Sequence, residues 1–239
     1  MNSQRKLLTK RDKLNYYITW FVRASLVVAI VFALFNLRYM GFFVSLVTLV
    51  LTYIPHFIEK QYRVNLPAEF QLFIVIFVYF GVFLGEVGDF YTRFWWWDSL
   101  LHAFSGLALG LAGFLILYTL YKTERLKASP FIIALFTFAF ALSMGAVWEI
   151  FEFGMDEAFG LDMQKARNLE EVYGEFDTRL GVMDTMIDLI LDAIGGFVAA
   201  IAGYFYIKNG ESFLFKPFIR NFEEANEDIF KKGKRKKNV

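Results

Sequence analysis

The 239 residues are 57% hydrophobic and 20% aromatic, with 30 Phe and only 4 Pro, a balance that excludes an ordinary soluble domain. Cysteine is absent, which excludes a disulfide framework, thiol chemistry and a Cys-based metal site. The formal net charge of +1 conceals basic ends and an acidic internal loop.

Apolar blocks of about 20 residues, the length that crosses a hydrocarbon core ~30 Å thick, recur along the chain. The pattern predicts an all-α fold, a polytopic membrane bundle of six transmembrane helices. A polar arm over residues 1–15 carries Arg5, Lys6, Lys10, Arg11 and Lys13. It reads as a basic flank without a cleavage site, not as a removable signal peptide.

Spans are expected at 16–37, 39–58, 68–88, 97–121, 130–153 and 181–207. Residues 1–207 would form the membrane domain and 208–239 a cytoplasmic tail. Arg23, two turns into the first span, is expected to reach back to the near interface. The second span closes on Pro55 and His56, and the third ends in GEVGD with Glu86 and Asp89. Trp95, Trp96 and Trp97 lead into the fourth span as an interfacial aromatic belt. Phe213, Leu214, Phe215, Phe218, Ile219 and Phe222, followed by KKGKRKK, read as an interfacial amphipathic segment with a polybasic anchor to anionic lipid. Nucleic acid is not an expected partner.

Orientation follows from Lys and Arg in the connections. With both ends in the cytoplasm, the inner segments hold nineteen such residues and the outer loops five. That orientation, derived from basic residues alone, brings the acids to one level on the outer side. Asp98 and His102 begin the fourth span, and Glu149, Glu152 and Asp156 end the fifth. Asp184, Asp188 and Asp192 then enter on the sixth, and the third delivers Glu86. Each set has the three- and four-residue spacing of one helical face. Gly106 and Gly110 on the fourth span, with Gly195, Ala199 and Gly203 on the sixth, form small-residue faces for close helix approach.

Several acids have plainer readings. Asp98 and Asp184 could be N-caps, Glu149 could pair with Arg179, and Asp156 could be a solvated loop residue. Asp188 and Asp192 are too deep for capping. Two carboxylates ~6 Å apart repel by about 3 kcal/mol at an effective dielectric of 20. A gathering of seven or eight therefore calls for held protons or a bound cation. Oxygen donors with one imidazole suit Mg, Mn or Zn.

D-x-x-x-H at Asp98–His102, E-x-x-E at Glu149–Glu152, Arg179, and D-x-x-x-D-x-x-G at Asp188, Asp192 and Gly195 form an ordered set. This order resembles the VanZ-like bacterial membrane proteins. Glu152 stands where those proteins have Gln, and Asp192 where they have Asn. Asp184, the WWWD entry and VWEIFEFGMD are more similar still to the YjdF-like inner-membrane family. The resemblance covers spans four to six and implies a role at the cell envelope, without a reaction attached.

Three functions are compatible with these residues. A divalent ion held by Asp98, His102, Glu149, Asp184 and Asp188, with Glu152 or His102 as general base, would make a metal-dependent enzyme. Its substrate would be a lipid or lipid-linked envelope precursor, and the loop 154–180 its lid. Alternatively, the acids serve a cation- or proton-coupled transporter with Asp192 deepest on the path. Spans one to three offer no counterpart acids on the cytoplasmic side to complete such a route. In the third reading, a charged network fixes helix packing and partner binding in a non-catalytic envelope protein.

Overall fold

The computed structural model describes residues 10–165, 179–212 and 215–235. The described residues form helices and turns without a strand. Six of the helices are long and apolar enough to cross a membrane, as the hydropathy predicts. By contacts the chain divides into two compact units, Met1–Phe94 and Trp95–Val239, with three such helices in each. Most of the N-terminal arm, residues 166–178 of the expected lid, Phe213, Leu214 and the end of the basic tail lie outside the described residues.

The first unit contains α1 (Lys10–Phe35), α2 (Tyr39–Leu51), α3 (Ile54–Tyr62), α4 (Ala68–Val78), a π-helix (Tyr79–Val87) and the short α5 (Phe90–Arg93). Its core is Val22, Leu26 and Val75, with Leu49, Tyr79 and Phe83 packed against them. The second span is a broken helix. Pro55 has no N–H to offer the Leu51 carbonyl, so the ladder is interrupted at Thr52 and Tyr53. Arg23 is spent on that break. Its Nε donates to Thr52 Oγ1 at 3.1 Å and its Nη2 to the Thr52 carbonyl at 3.0 Å. The guanidinium also lies 4.0 Å from the centre of the Tyr53 ring. Arg23 thus clamps the break. Unpaired carbonyls inside a membrane are costly, and a neighbouring donor removes that cost.

The second unit contains α6 (Trp97–Lys122), α7 (Pro130–Phe159) and α8 (Leu180–Asn209). Ser129 caps α7 by accepting from Ile132 N at 3.3 Å, with Pro130 in the first helical position. Gly160 at φ 64° closes the same helix and Gly210 at φ 72° closes α8, each in the left-handed conformation that glycine adopts without penalty. α7 runs six residues beyond its expected end. The extra turns carry Asp156.

Small residues let α6 and α8 touch backbone to backbone. A Cβ on Gly106 would meet the Asp192 carbonyl oxygen at 2.4 Å, and one on Gly195 the Ala103 carbonyl oxygen at 2.5 Å. These paired approaches confirm the close contact expected between the fourth and sixth spans.

The tail forms α9 (Lys216–Ala225) and α10 (Glu227–Arg235). Phe215, Ile219 and Phe222 are buried. The Phe215 ring packs 5.1 Å from that of Phe114 on α6. Tyr118 donates to Glu223 Oε1 at 2.5 Å, and Lys122 Nζ lies 3.5 Å from the same carboxylate. This stretch was expected to lay its apolar face in the interface. Instead that face covers the end of α6, where aromatic side chains offer a tighter contact than acyl chains.

Candidate metal centre

The site is built at one end of the second unit. α6 contributes Asp98 and His102 from its first two turns, α7 contributes Glu149 and Glu152 from its last three, and α8 contributes Asp184, Asp188 and Asp192. Asp98 lies within the first turn of α6 and Asp184 past the start of α8. Neither is the N-cap that the sequence left open.

His102 is the centre. Its Nε2 faces three carboxylates from three helices: Asp188 Oδ2 at 3.7 Å, Glu149 Oε1 at 3.9 Å and Asp98 Oδ1 at 4.0 Å. These separations are too long for hydrogen bonds. They fall between the two separations expected of donors around an ion. Two ligands each ~2.1 Å from a metal lie about 3.0 Å apart when adjacent and 4.2 Å apart when opposite. One ligand atom each from Asp98, His102 and Asp188 can be chosen so that all lie within 4.8 Å of one another. A metal ion could be held there. Glu149 and Asp184, also expected as ligands, fall outside that three-residue set.

The other imidazole nitrogen has its own partner. Nδ1 lies 3.3 Å from Asp192 Oδ2, and Asp192 Oδ1 accepts from Ser105 Oγ at 2.6 Å. A carboxylate on Nδ1 fixes the imidazole tautomer with the proton on that side. The Nε2 lone pair is then presented to the cluster, an arrangement recurrent in metal-binding histidines. Asp192 therefore orients the imidazole. It is fully buried, and the space for its carboxylate exists because residue 145 is glycine. A Cβ there would stand 2.3 Å from Asp192 Oδ2.

The burial is severe. Glu149, Glu152, Asp188 and Asp192 are each no more than 4% exposed. Among the described residues, both oxygens of Glu149, Oε2 of Glu152, Oδ2 of Asp184 and Oδ2 of Asp188 have no hydrogen-bond partner. Thr185 approaches Glu149, but without the geometry of a hydrogen bond. Glu152 uses its other oxygen to accept from Trp148 Nε1 at 2.8 Å. Native interiors rarely leave so many acceptors unsatisfied. A cation among them would satisfy several at once.

One expected member is engaged outside the cluster. Asp156 spends both oxygens on the following chain, accepting from Met163 N at 2.7 Å and Gln164 N at 3.0 Å. Glu86 belongs to the first unit. Asp89 there accepts locally from Thr92 Oγ1 at 2.5 Å.

The residue that sequence reasoning missed is Lys165. Its Nζ lies 3.4 Å from Asp98 Oδ2 and donates to the Met163 carbonyl at 2.7 Å. Gln164 Nε2 ties the same segment to α8 through Thr185 Oγ1 at 3.1 Å. Burial pushes the Lys165 amine down, but the carboxylates of Asp98, Glu152 and Asp184 push harder, and its pKa is raised. Nothing in the hydropathy marks a loop lysine as buried. Ser105, one turn beyond His102, and Gly145, one turn before Glu149, carry the helical spacing that could have found them.

A family model described as predicted membrane protein (DUF2238) matches residues 18–209. The chain belongs to that family. A relative from Thermotoga maritima, itself described as an uncharacterized protein, is 26% identical over 167 residues. That alignment covers 68% of this chain and 75% of the relative. No solved structure matches. The DUF2238 chain is thus an integral, multi-pass membrane protein, and its chemistry must be argued from the site itself.

Proposed function

We propose that this DUF2238 protein binds one divalent cation through Asp98, His102 and Asp188, with Glu149 closing the shell from α7. The observation that carries the reading is the two-sided imidazole: Nδ1 held by Asp192, and Nε2 turned to three carboxylates, of which those of Asp98 and Asp188 join it in one ligand set. Three hard oxygen donors with one imidazole suit Mg, Mn or Zn. The ion would offset several buried negative charges that otherwise face one another.

A bound ion of this kind can activate water or polarise a substrate oxygen. His102, committed through both nitrogens, is then a ligand and not the base. Glu152 supplies the base, with one oxygen fixed by Trp148 and the other unengaged. With both termini in the cytoplasm, the site faces the outer leaflet. The matching substrate is a lipid or lipid-linked envelope precursor, consistent with the resemblance to VanZ-like and YjdF-like proteins.

The test is elemental analysis of detergent-purified protein after dialysis against Mn2+. One ion per chain is expected, falling at least tenfold in occupancy in His102→Ala and Asp188→Asn. Stoichiometric metal retained in both variants, or none in the wild type, refutes the assignment.

A further inference from the structure

Asp98 divides its carboxylate between two neighbours. Oδ1 faces His102 Nε2 at 4.0 Å, whereas Oδ2 faces Lys165 Nζ at 3.4 Å. Both side chains of that ion pair are largely enclosed, Asp98 at 18% exposed and Lys165 at 14%, so solvent ions screen it only in part. The ammonium is held from behind as well, donating to the Met163 carbonyl at 2.7 Å.

The backbone that carries Lys165 is fixed independently of Asp98. Asp156, near the end of α7, accepts from Met163 N and Gln164 N, and Gln164 Nε2 donates to Thr185 on α8. Lys165 therefore reaches Asp98 from an anchored support. A turn of the carboxylate that brought Oδ2 toward the His102 side would carry that oxygen away from the ammonium, which the anchored backbone keeps from following far.

The consequence is a coordination mode. With one oxygen on an ammonium, a carboxylate has one oxygen left for a metal. That restriction does not weigh equally on all ions. Ca2+ takes about six to eight oxygens at ~2.3–2.6 Å and readily draws both oxygens of one carboxylate, whereas smaller ions bind fewer donors at shorter range.

We propose that Lys165 is a specificity-determining residue for the cation site. By holding Oδ2 of Asp98, it keeps that carboxylate a one-oxygen ligand and so selects a small divalent ion such as Mn2+ against Ca2+. Lys165 does not touch the ion and acts through Asp98 alone. The inference rests on the metal site assigned to Asp98, His102 and Asp188, and adds to it the choice of ion.

The experiment measures Mn2+ and Ca2+ affinities by calorimetric titration of detergent-purified protein. Lys165→Met keeps most of the side-chain volume without the charge, and Lys165→Leu serves if the first is not monodisperse. In either, the ratio of Mn2+ to Ca2+ affinity should fall about tenfold, because the released oxygen serves the larger ion more. Adding Asp98→Asn should return the ratio to its wild-type value while lowering both affinities, since an amide has one oxygen to offer whether or not the ammonium is there. Two affinities that move together in Lys165→Met, leaving the ratio unchanged, would mean that Lys165 only supports the site. That result overturns this proposal and leaves the site standing. A ratio that falls in Lys165→Met and stays down on adding Asp98→Asn overturns it too, because the effect would not run through Asp98. Neither ion bound by wild type or variant overturns the site itself, and this proposal with it.

Discussion

Gly145→Ala tests the link between helix packing and the metal site. The added Cβ would stand 2.3 Å from Asp192 Oδ2 and 2.8 Å from its Cγ. Ordinary contact begins near 3.4 Å, so the carboxylate or the helix must move by about 1 Å. Asp192 has no slack to give, with Oδ1 held by Ser105 at 2.6 Å and Oδ2 3.3 Å from His102 Nδ1. Two losses follow. Overpacking costs about 1–3 kcal/mol of stability. Disturbing the carboxylate that orients a metal-binding histidine costs ~10–100-fold in metal affinity. Gly154→Ala is the control: it lies on the same helix, with nothing within 4 Å of an added Cβ. The assay is Mn2+ titration of detergent-purified protein followed by thermal unfolding. If the effect runs through Asp192, then adding Gly145→Ala to Asp192→Ser should lower metal affinity little further, since the clash with the carboxylate has gone and only the 3.1 Å contact with the Cβ of residue 192 remains. Gly145→Ala with wild-type affinity, or with a loss undiminished in the Asp192→Ser background, refutes the reasoning.

Two further predictions concern contacts inside each unit. Arg23→Met leaves the Thr52 carbonyl at the Pro55 break without its charged donor, and about 1.5–3 kcal/mol of stability should go. Arg23→Lys should recover only part of it, because an ammonium lacks the planar fork that reaches both Thr52 oxygens. A midpoint in chemical or thermal unfolding equal to wild type would dismiss the clamp. Tyr118→Phe removes the hydrogen bond to Glu223 and should loosen α9 by about 1 kcal/mol. Trypsin cutting at Arg220 should then speed up roughly fivefold. Cleavage at the wild-type rate would mean that the aromatic contacts alone hold the tail.

The helices and the level of the acids were legible in the sequence because both rest on local signals. Apolar length gives a span, and acids three or four residues apart share a face. The sharing of work within the cluster was not legible, because it depends on which helix lies opposite. Asp188 and Asp192 are one turn apart on α8, yet one faces the imidazole Nε2 and the other its Nδ1. Asp156 fits the acidic face of α7 but is drawn off by two backbone N–H groups only seven and eight residues away. Arg23 read as an interfacial residue because hydropathy does not register the Thr52 oxygens at the break in the second span. Lys165 was counted among loop charges, and only the fold turns it inward.

The face of α8 explains why the chamber is where it is. Along that helix the residues three or four apart run Asp184, Asp188, Asp192, then Gly195, Ala199 and Gly203, so the stripe changes from acidic to small at one point. Below it, Gly110 meets the Ala199 methyl group and Gly203 meets the Phe114 ring closely enough to leave no room for a Cβ. Above it, carboxylates replace small groups and α6, α7 and α8 enclose charge. The small-residue seam thus forms a floor, with Asp192 resting on the Gly106 and Gly145 contacts. Under the proposed reading, an ion held by Asp98, His102 and Asp188 lies above this seam. A transport route through Asp192 would have to part the same seam that fixes His102, so moving the ion onward would dismantle its own binding site. The proposed reading is therefore of a binding site and not of a conduit.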